Sequence, residues 1–142
     1  MTVTITTFGV LHGHAPAARD PRRVVSIDLT HALRNPFDDP AMRELTGFDQ
    51  VVFEHVMSTP GAAEIVADAV DQVLAYLEDA DTPVDVLSFC KGGRHRSVSV
   101  ARAIQARLAE HGISADVIHL DVRKPVVHQD AVPAGYRRGG AR

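Results

Sequence analysis

The chain has 142 residues, 45% of them hydrophobic and 23% charged, with a formal net charge of -3. That length supports one domain with its own core, and the acidic balance excludes nucleic-acid binding by bulk positive charge, so any anion site must be made by local placement. No apolar run reaches the roughly 20 residues of a membrane span, MTVTITTFGV lacks the basic start of a signal peptide, and the single cysteine cannot form an internal disulfide, so the expected setting is a reducing cytoplasm.

Thr2–Val10 alternates β-branched and apolar residues and predicts a first strand. Ala15–Pro21 is a loop, and Arg23–Leu29 is a second, Val/Ile-rich strand. Pro36–Asp39 with Pro40 is again a loop. A short helix is expected over Gln50–Met57, ending before Thr59-Pro60. Ala62–Glu78 places Ile65, Val66, Ala69, Val70, Val73, Leu74 and Leu77 on one face of an amphipathic helix. Val84–Phe89 is a third strand. Ser97–His111 repeats the helical spacing with Val100, Ala101, Ile104 and Leu108 before Gly112. Ala115–Val122 is the fourth strand. Strands alternating with helices predict a single α/β domain: a mostly parallel four-stranded sheet with helices packed against its faces. The domain should cover residues 1–124; after Lys124 the composition turns to Pro, Gly and Arg, as expected of a flexible tail over 125–142.

The segment SFCKGGRHRS, residues 88–97, joins the third strand to the following helix. The first amides of a helix have no intrahelical partner and lie at the positive end of its dipole. Gly92 and Gly93 let successive N–H groups turn toward one anion. Arg94 and Arg96 offer forked donors and Lys91 a point charge; His95 lies between the arginines, and Ser97 is expected at the N-cap. The ligand that suits this combination is phosphate. Against it stands a plain tight turn carrying solvated bases.

Cys90-x5-Arg96 followed by Ser97 resembles the phosphate loop of protein tyrosine phosphatases. That resemblance implies Cys90 as a thiolate nucleophile and Arg96 as the phosphate clamp. Phe89 stands where that family has a histidine, and no general-acid loop is identifiable. A small buried residue closing a strand is the competing account of Cys90.

A longer resemblance covers about 115 residues. Cys90-Lys91-Gly92-Gly93-Arg94-His95-Arg96-Ser97 is similar to the CTGGRHRS loop of the RapZ C-terminal domain family. Thr7-Phe8-Gly9 is similar to its SFG-type segment, Asp28 through Asn35-Pro36 to its DxRxLPNP stretch, Leu45-Thr46-Gly47-Phe48-Asp49 to its LTGxD, and His119-Leu120-Asp121 to its HRD. The resemblance implies a ligand-sensing domain, associated in that family with small regulatory RNAs and the amino-sugar phosphate glucosamine-6-phosphate. Departures limit the transfer. No Walker A sequence occurs, Leu11 replaces a basic residue, Thr30 replaces the arginine of DxR, and Leu120 that of HRD. Lost positive charges weaken RNA affinity, whereas the 90–97 loop is intact.

His12, His14 and His119, with Asp28 or Asp121, form a conceivable metal set at the carboxyl ends of the strands; loop histidines that hydrogen-bond or assist an anion are the preferred reading, and no metal or cofactor is expected. For Asp28 and Asp121, capping or orienting roles compete with general acid/base work. The leading expectation is therefore a regulatory domain that binds a phosphorylated small molecule, a sugar phosphate or nucleotide. Lys91, Gly92, Gly93, Arg94, His95, Arg96 and Ser97 would hold the phosphate. Phe8, Gly9, His12, Asp28, Asn35 and His119 would line the remainder. The alternatives are an enzyme acting on a phosphate ester through Cys90, Arg96 and Asp121, and an RNA-binding adapter. A regulatory protein partner and a homo-oligomer stay open, and no membrane partner is expected.

Overall fold

The computed structural model describes residues 2–13, 15–80 and 82–127. In chain order the elements are β1 (Val3–Gly9), β2 (Val24–Asp28), a 3-10 turn (Pro36–Asp38), α1 (Gln50–Met57), α2 (Ala62–Asp79), β3 (Val84–Cys90), α3 (Arg96–Glu110) and β4 (Ala115–His119). The strands form one parallel sheet in the order β2-β3-β1-β4.

Strand alternation explains which face the helices cover. Val3 and Ile5 of β1, Val25 and Ile27 of β2, and Val84 and Val86 of β3 point the same way and share one core with Val66, Val70 and Val73 of α2 and Val100, Ile104 and Leu108 of α3. The stripes on both helices recur at three- and four-residue intervals, which turns one side of each onto the sheet.

The helices α2 and α3 therefore cover one face of the sheet, and α1 packs on them rather than on the strands. Topology supplies the reason. β1 to β2 steps across the sheet in one direction, while the later crossovers step back in the other. Right-handed connections then place the first crossover on the opposite side. That crossover, residues 10–23, contains no helix among its described residues. It is pinned where Arg19 donates its main-chain N–H (2.8 Å) and Nε (3.1 Å) to Asp85, a residue facing away from Val84 and Val86. On this second face Phe8 stacks on Phe89 with ring centroids 5.0 Å apart.

Connections leaving the adjacent strands β1 and β3 thus depart to opposite faces. Between their carboxyl ends lies a topological switch point, the place where open α/β sheets leave a crevice.

Most boundaries differ from the sequence reading by a residue, and three differences bear on the site. α3 begins at Arg96, with His95 rather than Ser97 at the cap position and no side-chain cap bond. β4 ends at His119 instead of Val122, because residues 121–124 turn: Lys124 N–H donates to the Asp121 carbonyl (3.1 Å) and its ammonium pairs with the Asp121 carboxylate (2.6 Å). The expected loop at residue 36 is a 3-10 turn whose first amide-bearing position, Phe37, donates to the Asn35 side chain (3.1 Å). Of the expected tail, residues 125–127 are described; 128–142 lie outside the described residues, as does His14.

Candidate functional site

Five residues, 91–95, separate the end of β3 from the start of α3. The exit of β1 runs beside them, with Val10 N–H donating to the Cys90 carbonyl and Leu11 N–H to that of Lys91, both at 3.0 Å. The approach demands glycine. A Cβ on Gly9 would lie 2.2 Å from the Gly92 carbonyl carbon; one on Gly93, whose φ is +70°, would lie 2.5 Å from the Gly9 nitrogen. Gly93 therefore meets both a left-handed backbone and a backbone neighbour.

The turn leaves most of its amides open. Among the described residues, those of Gly92, Arg94, His95, Ser97 and Val98 donate to no main-chain carbonyl. The Gly93 N–H donates instead to Cys90 Sγ at 3.3 Å, and the thiol lies 3.3 Å from the Ser97 hydroxyl. Cys90 is only 3% exposed. This is an open helix N-terminus with a concave run of N–H groups before it, an arrangement suited to an anion.

The two arginines of the loop point to different work. Arg96, at the first helical position, is 3% exposed. Its Nη1 donates to the carbonyls of Thr30 (3.3 Å) and Ala32 (3.2 Å), while its buried Nε has no partner. Burial lowers its pKa from the usual arginine value, with the charges of Cys90, Asp38 and Asp28 acting the other way. Next to the pinned Ala32 carbonyl, Leu33 holds φ +68°, uncommon for a residue with a side chain. Arg94 turns away toward main chain. Nε donates to the Leu45 carbonyl (2.8 Å), Nη1 to those of Lys124 (3.1 Å) and Val122 (3.4 Å), and Nη2 to that of Glu44. His95 is buried, contacts the Arg43 carbonyl at 3.1 Å through Nε2, and has its pKa lowered to about 4, chiefly by burial. It is a neutral ring at pH 7 and adds no charge to the site.

A cleft of about 20 Å3, the size of a water, opens against this segment. Asn35, Cys90, Lys91, Gly92, Arg94, His95 and Arg96 line it, as do Phe37 and Pro125, Val126 and Val127. The last four were not legible in the sequence. Phe37 follows a proline in a stretch read only as a loop, and the other three lie in the span read as tail.

The other sequence candidates are placed elsewhere. Asp121, also buried, accepts from the Gly9 N–H at 2.8 Å and pairs with Lys124. Asp28 accepts from the N–H (2.9 Å) and hydroxyl (2.6 Å) of Thr30, closing a local turn. His119 Nδ1 lies 2.7 Å from the Thr7 hydroxyl, its ring edge-on to Phe48; burial lowers its pKa. Burial also lowers that of His12, opposed by the nearby Asp121 charge and reinforced by Lys124. Phe8 packs on the second sheet face, and Ser97 sits behind Cys90. Among the described residues no three His, Cys, Asp or Glu side chains are arranged to hold a metal, and no helix is long and apolar enough to cross a membrane.

These features define a parallel α/β domain with a glycine-tight strand-to-helix loop at its topological switch point. The chain belongs to the RapZ C-terminal domain family, whose model matches residues 1–123. It is similar to a nucleotide-binding protein of Corynebacterium glutamicum (strain R), 32% identical over 127 residues that make up 86% of this chain and 39% of that protein. It is also similar to nucleotide-binding proteins of Streptomyces coelicolor, 32% identical over 126 residues (86% and 40%), and of Rubrobacter xylanophilus, 36% identical over 122 residues (82% and 38%). The chain spans about two fifths of the length of these relatives.

Proposed function

We propose that this domain is a regulatory module that binds a phosphorylated small molecule, a sugar phosphate or a nucleotide, with the phosphate seated on residues 91–97. One observation carries the reading: the guanidinium of Arg96 is buried beside the cleft with an Nε that has no hydrogen-bond partner among the described residues. An unpaired buried donor costs roughly 1–3 kcal/mol, more when charged. A phosphate oxygen would satisfy it once the water-sized cleft widens to admit one, and the amides of Gly92, Arg94 and His95 would supply further donors. Lys91, which also lines the cleft, adds a positive charge. The relatives' name brings a nucleotide into the range of ligands. Because this chain covers only two fifths of their length and has no Walker A sequence, the residues speak to the phosphate rather than to a base.

Isothermal titration calorimetry with glucosamine 6-phosphate and adenosine 5′-monophosphate tests this. Binding of either by the wild type, weakened in Arg96→Lys, supports it; no heat from any phosphate monoester overturns it.

A second reading rests on Cys90. Its sulfur receives the Gly93 N–H and adjoins the Ser97 hydroxyl beside an arginine, which is the surrounding a thiolate nucleophile needs. Its burial and the engagement of Asp121 with Gly9 and Lys124 favour the binding module over this enzyme.

A further inference from the structure

Arg94 belongs to two structures at once. Its main-chain N–H is one of the unused donors of the anion loop. Its carbonyl accepts from Gly47 N–H at 2.9 Å, and its side chain reaches the carbonyls of Glu44, Leu45, Val122 and Lys124. No carboxylate pairs with it among the described residues. The guanidinium is therefore a main-chain strap between two segments remote in sequence, and one of them continues directly into Pro125, Val126 and Val127, a wall of the cleft.

Main-chain hydrogen bonds hold that wall at few points. Asp121 is fixed by Gly9, and Lys124 returns to Asp121; beyond that turn, among the described residues, the main-chain groups of 122–124 are held through the two carbonyls gripped by Arg94, while the Val122 side chain is buried and Arg123 lies over the Phe48 ring. An anion bound to the amides of Gly92, Arg94 and His95 would fix the backbone from which the strap extends. The same anion would be walled by the segment that the strap holds.

We propose that Arg94 is a positioning residue coupling occupancy of the anion loop to docking of residues 122–127, so that this segment is the part of the domain whose order responds to ligand. The coupling rests on reading the loop as a phosphate site. By linkage it runs both ways: a segment docked by Arg94 favours the bound anion as much as the anion favours docking.

The test uses the full chain with inorganic phosphate as the probe, following amide shifts of Gly92 and Gly93 by NMR and hydrogen exchange over 122–127. In the wild type, phosphate shifts both glycine amides and slows exchange in 122–127 by about tenfold, since docked main chain exchanges only on local opening. In Arg94→Gln linkage weakens phosphate binding, so the glycine amides respond only at higher phosphate, and even at saturation 122–127 exchanges at least about tenfold faster than in the wild type and no longer responds to phosphate. Glycine shifts without slower exchange in the wild type overturn the coupling while sparing the phosphate site. Equal exchange in Arg94→Gln and wild type overturns it too. No shift at Gly92 or Gly93 removes the site and the coupling together. Because the wild-type arm needs no substitution, a variant that fails to fold leaves the proposal exposed to refutation.

Discussion

Gly93 lies directly against Gly9, its α-carbon so close that a methyl group there would sit 2.5 Å from the Gly9 nitrogen and 2.7 Å from the Phe8 carbonyl carbon. This contact joins the carboxyl ends of β1 and β3 and fixes where the anion loop begins. Gly93→Ala meets a left-handed φ and an immovable backbone together. It should cost about 3 kcal/mol or more, roughly 1 from the dihedral and the rest from overpacking. Gly92 has open space where its Cβ would be and no left-handed φ, so Gly92→Ala should stay within about 1 kcal/mol of the wild type. Urea unfolding of the two variants checks the contrast; equal loss in both would refute it.

Arg96→Lys keeps a positive charge but loses the fork that donates to Thr30 and Ala32 and, with it, the unpartnered buried Nε. Affinity for a phosphate monoester should fall about ten- to hundredfold, the scale of one or two charge-assisted hydrogen bonds. Calorimetry on both proteins measures it, with circular dichroism verifying the fold.

His95 makes stability depend on pH. Its folded pKa, about 4, lies below the ordinary histidine value of 6.5. Between those values the unfolded chain binds the proton and the folded chain does not, so stability rises with pH. The contribution is fully present above about pH 6.5 and is lost as pH falls toward 4, amounting to about 3 kcal/mol. The lowered pKa values of His12 and His119 act in the same direction. His95→Gln should therefore flatten, without abolishing, the decline in the urea midpoint between pH 7 and pH 4. An unchanged slope would contradict the burial of a neutral ring.

Asp121 is placed as an anchor. Asp121→Asn should lose the charge that faces Lys124 and weaken the bond from Gly9 N–H, costing about 1–3 kcal/mol in thermal or urea unfolding. An Asp121 serving as a catalytic acid would instead leave stability nearly unmoved.

With Cys90 buried, wild type and Cys90→Ser are both expected to leave a chromogenic aryl phosphate intact. Turnover by the wild type that vanishes in Cys90→Ser would establish the thiol as a nucleophile and displace the binding module as the leading reading.

Much of the architecture was written in local pattern. Alternation in Thr2–Val10, the short Val/Leu-rich run Val84–Phe89, and three- and four-residue spacing in Ala62–Glu78 gave elements within a residue or two of those observed, because apolar composition and periodicity are properties of neighbouring residues. The strand, glycines and helix of residues 84–110 were likewise legible as one strand-turn-helix unit. What the pattern could not contain was which carbonyls each base reaches. Arg94 and Arg96 are two positions apart in one motif and read alike. Their partners are carbonyls of residues 44–45 and 122–124 for one, and 30–32 for the other. Only the folded chain brings those distant carbonyls within hydrogen-bonding reach, and so only the tertiary structure separates the strap from the unsatisfied donor.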